Sequence, residues 1–155
     1  MKHVMTVALL ATTTTLCLSP CAEAGPNKCD WVPPAHSVFH QDNGLAIQID
    51  WANGGQGGQA SYAGAQGMDW EGPINGGVAK GSNKIDFTVP WRIKSVTYTN
   101  DAPIPAAPTN HYTGTVAENG RASGTTVNNA GVSNTWFDDG GWTCMEWGFG
   151  PAPVA

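Results

Sequence analysis

The sequence predicts an all-β fold, an eight-stranded antiparallel up-and-down barrel. Short stretches in which apolar and polar side chains alternate are bounded by glycine or asparagine, which is the pattern of an antiparallel meander. Helical periodicity is nearly absent, so no long helix is available to cover one face of the sheet. The sheet must therefore bury its apolar side against itself, and closure into a barrel does this while removing the exposed edges. A β-sandwich is the alternative architecture.

The first half of the barrel is predicted from four stretches of sequence. "HSVFHQ" at 36–41 and "LAIQIDW" at 45–51 flank a polar turn at 42–44. "QASYAG" at 59–64 and "PINGGVA" at 73–79 follow. Alternation in the second stretch places four apolar residues on one face of its strand: Leu45, Ile47, Ile49 and Trp51.

The next strand, "KIDFTVPW" at 84–91, has the clearest alternation in the chain. Its inward row is predicted to contain Ile85, Phe87, Val89 and Trp91. "SVTYTN" at 95–100 either extends the sheet or begins a loop. "DAPIPAAP" at 101–108 is predicted to be an exposed loop, because its prolines lack the N–H that a central strand requires.

The last strands come from a hairpin and two further stretches. The hairpin covers 111–127, and Asn119-Gly120 predicts a type I′ turn at its tip. The stretches 133–139 and 141–147 complete the sheet. Several strands contain glycines that suit the bends of a small barrel: Gly76, Gly77, Gly114 and Gly124.

Residues 1–24 are predicted to be a signal peptide. A short basic start leads into an apolar stretch that ends in the small residues "AEA" at 22–24. The mature chain, 25–155, is then a single barrel domain of about 130 residues, enough for one core. We therefore expect a secreted protein. Lipid anchoring through Cys21 is the alternative, although a proline directly before that cysteine is unusual.

Composition narrows the possible partners. The net charge is −5 and no basic residues cluster, so nucleic acid and anionic membrane surfaces are not expected partners. Beyond the signal segment, no stretch is long and apolar enough to cross a membrane. Seven tryptophans and the regular alternation argue against disorder, despite 20 glycines and 11 prolines.

Removal of the signal peptide would leave two cysteines, Cys29 and Cys144. In an oxidising compartment they are expected to form a disulfide that ties the first and last strands together. A metal site is the alternative, but the two cysteines are far apart and have no CxxC spacing.

Few side chains indicate catalysis or metal binding. His36 and His40 would share one face of a strand, but Asp42 is the only further ligand nearby. The acidic pair at 138–139 and Glu146 could suit glycoside hydrolysis, yet a polar turn also explains the pair. The sequence therefore predicts a non-enzymatic protein that uses no metal or other cofactor.

Two motifs are similar to paired strands of the avidin and streptavidin family. "FTVPW" at 87–91 resembles the family's aromatic-Thr-Val-x-Trp strand, and "YTGTV" at 112–116 resembles its aromatic-Ser/Thr-Gly strand. The spacing of Trp31, Ser37 and Phe39 is similar to that of the family's first strand. The chain also resembles exported β-meander proteins of actinobacteria that have no assigned function.

The resemblance implies a site for a biotin-like ligand. Trp91 and Trp136 would stack on the ligand, and the hydroxyls of Ser37 and Tyr62 would donate to its ureido oxygen.

Three positions depart from the family pattern. Pro33 stands where the family has an asparagine, Gly64 where it has a serine, and Gly150 where it has a buried aspartate. Each loss removes a hydrogen bond worth roughly 1–3 kcal/mol, so tight biotin binding is not expected.

These features predict an exported protein that binds a small molecule in a tryptophan-lined barrel pocket. Trp51 and Trp91 each end an inward row, so both should lie near a mouth of the barrel, as plugs or as pocket walls. The resemblance also leaves room for a homo-oligomer. The candidate ligand-binding residues are Ser37, Trp51, Tyr62, Trp91 and Trp136.

The alternative is a secreted interaction or glycan-recognition module with a filled core and no small-molecule pocket. It would use outward-facing tryptophans, for which the candidates are Trp31, Trp70 and Trp147.

Overall fold

The computed structural model describes residues 29–97 and 105–146, leaving out the side chains of Gln66 and Glu146. A single turn of 3₁₀ helix covers Ala65–Gly67. The strands within the described ranges are β1 (Cys29–Val32), β2 (His36–Gln41), β3 (Ala46–Trp51), β4 (Gln56–Ala63), β5 (Met68–Val78), β6 (Lys84–Pro90), β7 (Arg92–Val96), β8 (Thr109–Val116), β9 (Ala122–Asn128), β10 (Ser133–Asp138) and β11 (Thr143–Glu146).

Eight antiparallel strands form a closed barrel, so the predicted fold is confirmed and the sandwich is excluded. Neighbouring strands follow the order β4-β3-β2-β10-β9-β8-β6-β5, and β5 pairs with β4 to complete the ring. Apart from β7, each barrel strand pairs with the next one along the chain, which is the up-and-down arrangement. β7 is separated from β6 by Trp91 alone and continues along β5.

The remaining strands, β1 and β11, pair in an antiparallel ribbon that covers one end of the barrel. The Asp30 carboxylate accepts a hydrogen bond from the Gly81 N–H, in the turn between β5 and β6, at 2.6 Å. The backbone N–H of Trp142 donates to the Gly120 carbonyl, in the turn between β8 and β9. The Trp142 ring also meets Trp51, with 5.9 Å between centroids. We call this the capped end and the opposite one the open end.

The predicted disulfide is confirmed and holds this ribbon together. Cys29 on β1 and Cys144 on β11 are bonded, with 5.3 Å between their Cα atoms and 115 positions between them in sequence. The bridge therefore joins the first and last strands described, as expected.

Two stacked aromatic pairs fill the middle of the barrel. Phe39 stacks on Trp136 with 4.1 Å between ring centroids, and Phe87 stacks on Tyr112 with 4.8 Å between them. The pairs meet where Phe39 contacts Phe87, at 6.1 Å. The inward row predicted for β6 is confirmed, since Ile85, Phe87, Val89 and Trp91 are all buried.

The Trp136 ring packs against β8 at a glycine. Gly124 is the β9 partner of Trp136, and Gly114 is the β8 partner of Gly124. A Cβ at Gly114 would lie 2.6 Å from Cζ2 of Trp136. Glycine at this position therefore provides the space for the indole, a more specific role than the predicted bend.

The predicted type I′ turn at Asn119-Gly120 is wrong. Only Gly120 has positive φ, +73°, and its N–H donates to the Ala117 carbonyl, which gives a three-residue loop closed by a left-handed glycine. This loop fits the twist of the two strands, and Asn119 does not need to adopt a positive φ. Gly44 and Gly131 end the β2–β3 and β9–β10 turns in the same way.

Some element boundaries also differ from the prediction. β5 begins at Met68 rather than at 73, because its first residues pair with both β4 and β7. The stretch 95–100 does extend the sheet as far as Val96. β11 pairs with β1 rather than continuing the main sheet after β10.

The signal peptide at 1–24, which includes Cys21, and residues 98–104 lie outside the described residues. Among the residues described, no helix has the length and apolar character needed to cross a membrane.

Removing the disulfide should strongly destabilise the domain. In the chain-entropy model a bridge over a loop of this length contributes about 4–5 kcal/mol. We expect the Cys29→Ser/Cys144→Ser double variant to unfold at much lower denaturant concentration than the oxidised protein, measured by tryptophan fluorescence. An unchanged unfolding midpoint would show that the disulfide does not stabilise the domain by constraining the unfolded chain.

Gly114→Ala should destabilise the barrel by about 1–3 kcal/mol through overpacking, because its Cβ would clash with the Ser123 carbonyl oxygen and lie 2.6 Å from Cζ2 of Trp136. Ser123→Ala is the matched control, since Ser123 is exposed on the outer face of β9. Urea unfolding measures both variants. Equal stabilities for the two variants would contradict the role given to Gly114.

Candidate functional site

The open end of the barrel contains a cavity of about 190 Å³. Its walls come from the barrel strands, from the β2–β3 and β9–β10 turns and from the segment before β8. The lining residues are Gln41, Asn43, Leu45, Ile47, Tyr62, Trp91, Pro108, Asn110, Tyr112, Asn128, Val132 and Asn134.

One side of this opening is apolar and aromatic. Trp91, at the end of the β6 row, contacts Tyr62 edge to face with 4.8 Å between ring centroids. Tyr62 in turn lies parallel to Trp70, with centroids 6.1 Å apart. Leu45 is half-buried and packs against the same core. This side, which we call the aromatic wall (Leu45, Tyr62 and Trp91), can remove the apolar face of a ligand from water.

The facing side carries primary amides. Asn110, Asn128 and Asn134 occupy inward positions near the ends of β8, β9 and β10, which are neighbours in the barrel. Asn110 and Asn128 are direct cross-strand partners, and Asn134 pairs with the residue two places before Asn128. We call these three residues the amide row. It offers both donors and acceptors to whatever enters the opening.

Part of this amide capacity is already used. The Asn128 side-chain oxygen accepts hydrogen bonds from the backbone N–H groups of Ala130 and Val132. The Asn110 amide N–H donates to the Thr126 hydroxyl at 3.3 Å. Within the described residues, the Asn134 side chain, the Asn128 amide N–H₂ and the Asn110 amide oxygen have no partner. Among the described residues, these are the groups of the amide row that can still hydrogen-bond to a ligand.

Deeper in the opening, Gln41 and Tyr112 form its polar floor. The Gln41 amide N–H donates to the Tyr112 hydroxyl at 3.2 Å, and the Asn43 amide N–H donates to the Gln41 oxygen. Burial raises the pKa of Tyr112 to about 12, so its phenol is neutral at ordinary pH.

A larger groove of about 600 Å³ adjoins the cavity and shares Leu45, Tyr62, Pro108 and Asn128 with it. Trp70 and Met68 form one side of the groove, and Pro105 to Pro108 form part of another side. All lining residues of both spaces are uncharged.

The structure separates the predicted ligand-binding residues. Tyr62 and Trp91 lie at the open end, as expected for a barrel mouth. Ser37 and Trp51 lie at the capped end, where the Trp51 indole N–H donates to the Ser37 hydroxyl at 3.1 Å. Trp136 lies in the core and donates to the Thr125 carbonyl. Trp91 therefore lines the open-end cavity, whereas Trp136 is not among its lining residues.

Strand direction explains this separation. β2 begins at the end of the barrel where β3 finishes, so Ser37 and Trp51 are neighbours there. β4 runs antiparallel to β3, and its last residues, including Tyr62, reach the opposite end. Ser37 and Tyr62 therefore cannot donate to one ligand atom in this fold.

Two departures from the family pattern have a structural reason. A Cβ at Gly64 would lie 2.8 Å from Nε1 of Trp70, so a serine there would displace the indole. Pro33 lies at the capped end, where its ring would meet a Cβ at Gly55. It is therefore remote from the aromatic wall.

The alternative interpretation requires outward-facing tryptophans, but the two candidates that the structure describes are buried. Trp31 and Trp70 are 6% and 5% exposed, because both pack into the core. Trp147, the third candidate, lies outside the described residues.

The candidate metal and catalytic groups are dispersed. His36 contacts Asp50 at 2.5 Å, and His40 lies 3.4 Å from Asp139. No cluster of three metal-ligating side chains occurs in the described part of the chain. Asp138 is buried and accepts a hydrogen bond from the Trp142 indole N–H at 2.7 Å, which gives it a role in holding the ribbon.

Sequence reasoning missed the amide row. Asparagines near strand ends resemble turn formers, and nothing local distinguishes them. The signal was the two-residue period: Asn110 shares its face with Tyr112, and Asn134 shares its face with Trp136.

Comparisons with protein-family models, with curated proteins and with solved structures found no match to this chain. The avidin-like resemblance therefore stays a prediction that rests on its short motifs.

Tyr112 should make the domain sensitive to alkaline pH. Its pKa is raised in the folded state, so its contribution to stability is complete below the ordinary value near 10 and is lost as pH rises through about 12. In a spectrophotometric titration, Tyr112→Phe should lack the late phenolate step, whereas Tyr62→Phe should retain it. A Tyr112→Phe titration identical to that of the parent protein would contradict this assignment.

Proposed function

We propose that this chain is an exported, non-catalytic protein that binds a small molecule at the open end of its barrel. One observation carries the proposal: the ribbon covers one end, while the other holds a cavity with an aromatic wall and facing amides. Ligand sites in barrels are typically apolar spaces with a few polar groups that fix orientation. The open end has that composition.

The dimensions support a ligand that is only partly enclosed. The inner cavity, at about 190 Å³, is smaller than the roughly 300–1,000 Å³ of pockets that enclose drug-sized molecules. A small ring or the end of a longer molecule suits the cavity. The adjoining groove would receive the remainder.

Binding fits the chemistry of the opening better than catalysis does. The titratable groups that line the described opening are Tyr62 and Tyr112. Burial raises the pKa of both phenols, so neither suits proton transfer near neutral pH. A non-enzymatic role stays a prediction from the sequence.

We do not propose that the ligand is biotin-like. Ser37 and Trp51 are enclosed at the capped end, away from Trp91, so the family's hydrogen-bonding set does not support it. Export through residues 1–24 and assembly into a homo-oligomer remain predictions from the sequence.

The test is a ligand panel read by thermal shift and by tryptophan fluorescence. A ligand at a hundred times its dissociation constant adds about 2.7 kcal/mol to stability. For any compound that binds, the fluorescence change should persist in Trp51→Phe and be lost or strongly reduced in Trp91→Phe. Trp51 is the matched control because it occupies the corresponding place at the capped end.

Loss of the change in Trp51→Phe alone would place the ligand at the wrong end of the barrel. If no compound in a broad panel of neutral and charged small molecules shifts the melting temperature, the proposed function is wrong.

A further inference from the structure

We infer that the open end takes a neutral, hydroxyl-rich ring, a pyranose unit, with its hydroxyls on the amide row and its apolar face on the aromatic wall. The inference rests on the proposed function and specifies the class of ligand. Charge, hydrogen-bonding capacity and shape each contribute to it.

Charge excludes ionic ligands. The residues that line the cavity and the groove are all uncharged. A carboxylate, phosphate or ammonium group entering the cavity would lose hydration without an opposite charge to compensate. The nearby phenols of Tyr62 and Tyr112 stay neutral because burial raises the pKa of each. A neutral ligand is the one that this environment stabilises.

Hydrogen-bonding capacity selects hydroxyl groups. The unused groups of the amide row include both kinds: the N–H₂ of Asn128 donates, the oxygen of Asn110 accepts, and the Asn134 amide does both. A hydroxyl group is likewise both donor and acceptor, so a ring of hydroxyls can meet every free group. Asn110 and Asn128 are direct cross-strand partners, roughly 5 Å apart, and Asn134 lies on the diagonal to Asn128, roughly 7–8 Å away. These spacings let several hydroxyls of one ring be engaged together.

The two-sided shape of the opening matches the two-sided character of a sugar ring. Axial C–H groups make one face of a pyranose apolar, and that face can lie against Tyr62, Trp91 and Leu45. The opposite edge then points to the amide row. A purely apolar ligand would leave the amides unpaired, at the cost of buried hydrogen-bonding groups.

The groove shows where a longer ligand would continue. It runs past Trp70 and the Pro105 to Pro108 segment, and it shares Tyr62 and Asn128 with the cavity. A glycan entering by its end would place its terminal unit in the cavity and the next unit over Trp70.

The experiment titrates the full mature protein with methyl glycosides of glucose, galactose and mannose, followed by the side-chain amide signals of asparagine in NMR spectra. At least one neutral glycoside should shift the signals of Asn110, Asn128 and Asn134. Glucuronate and glucosamine, which keep the ring but add a charge, should bind at least tenfold more weakly. A trisaccharide of the preferred sugar should bind more tightly than the single unit if the groove is used, and equally if free sugars are the ligand.

Asn134→Leu is the discriminating variant, since its side chain has no partner among the described residues and the replacement is nearly isosteric. It should weaken glycoside binding about tenfold, which corresponds to one or two hydrogen bonds. Asn75→Leu is the control, because Asn75 is exposed on the outer side of β5. The melting temperature of each variant reports whether it folds.

The outcomes distinguish this inference from the proposed function. If charged sugars bind as tightly as neutral ones, or if Asn134→Leu binds normally, the pyranose assignment is wrong. If glycosides fail to bind but another small molecule gives the Trp91-dependent response, the class is wrong and the binding function stands. If no small molecule binds, both are wrong.

Discussion

Phe39 and Trp136 stack across β2 and β10, whose pairing joins the first and last strands of the barrel along the chain. Trp136 can lie there because Gly114 has no side chain to collide with its ring. With Phe87 and Tyr112 stacked beside it, the centre of the barrel is solid. The interior is therefore divided, and space for a ligand exists beyond the stack rather than through it. The location of the cavity therefore depends on this contact.

Much of the fold could be predicted because the informative patterns are local. Alternation along β3 and β6 identified the inward rows, the lack of a covering helix required closure, and two remaining cysteines implied their own pairing. The site depended on information that is not local. Placing Ser37 and Tyr62 at opposite ends requires the direction and register of every strand between them, and short motifs do not contain it.

The two ends of the barrel have different chemistry, although both are built from aromatic side chains. At the capped end the polar groups satisfy one another: Trp51 donates to Ser37, and Trp142 donates to Asp138. At the open end the aromatic wall faces amides with donors and acceptors that have no partner in the described part of the chain. The presence of indoles near a mouth is therefore a weak guide to binding. Whether the neighbouring hydrogen-bonding groups already pair with one another distinguishes a plugged end from a binding site.

The ribbon of β1 and β11 also fixes how the molecule can be attached to something else. Cys29 and Glu146 are cross-strand partners, so the polypeptide enters and leaves the described domain side by side, at the end remote from the cavity. A tether joined where the ribbon begins or ends, at Cys29 or Glu146, would hold the described barrel by its capped end. The cavity would then face away from the support.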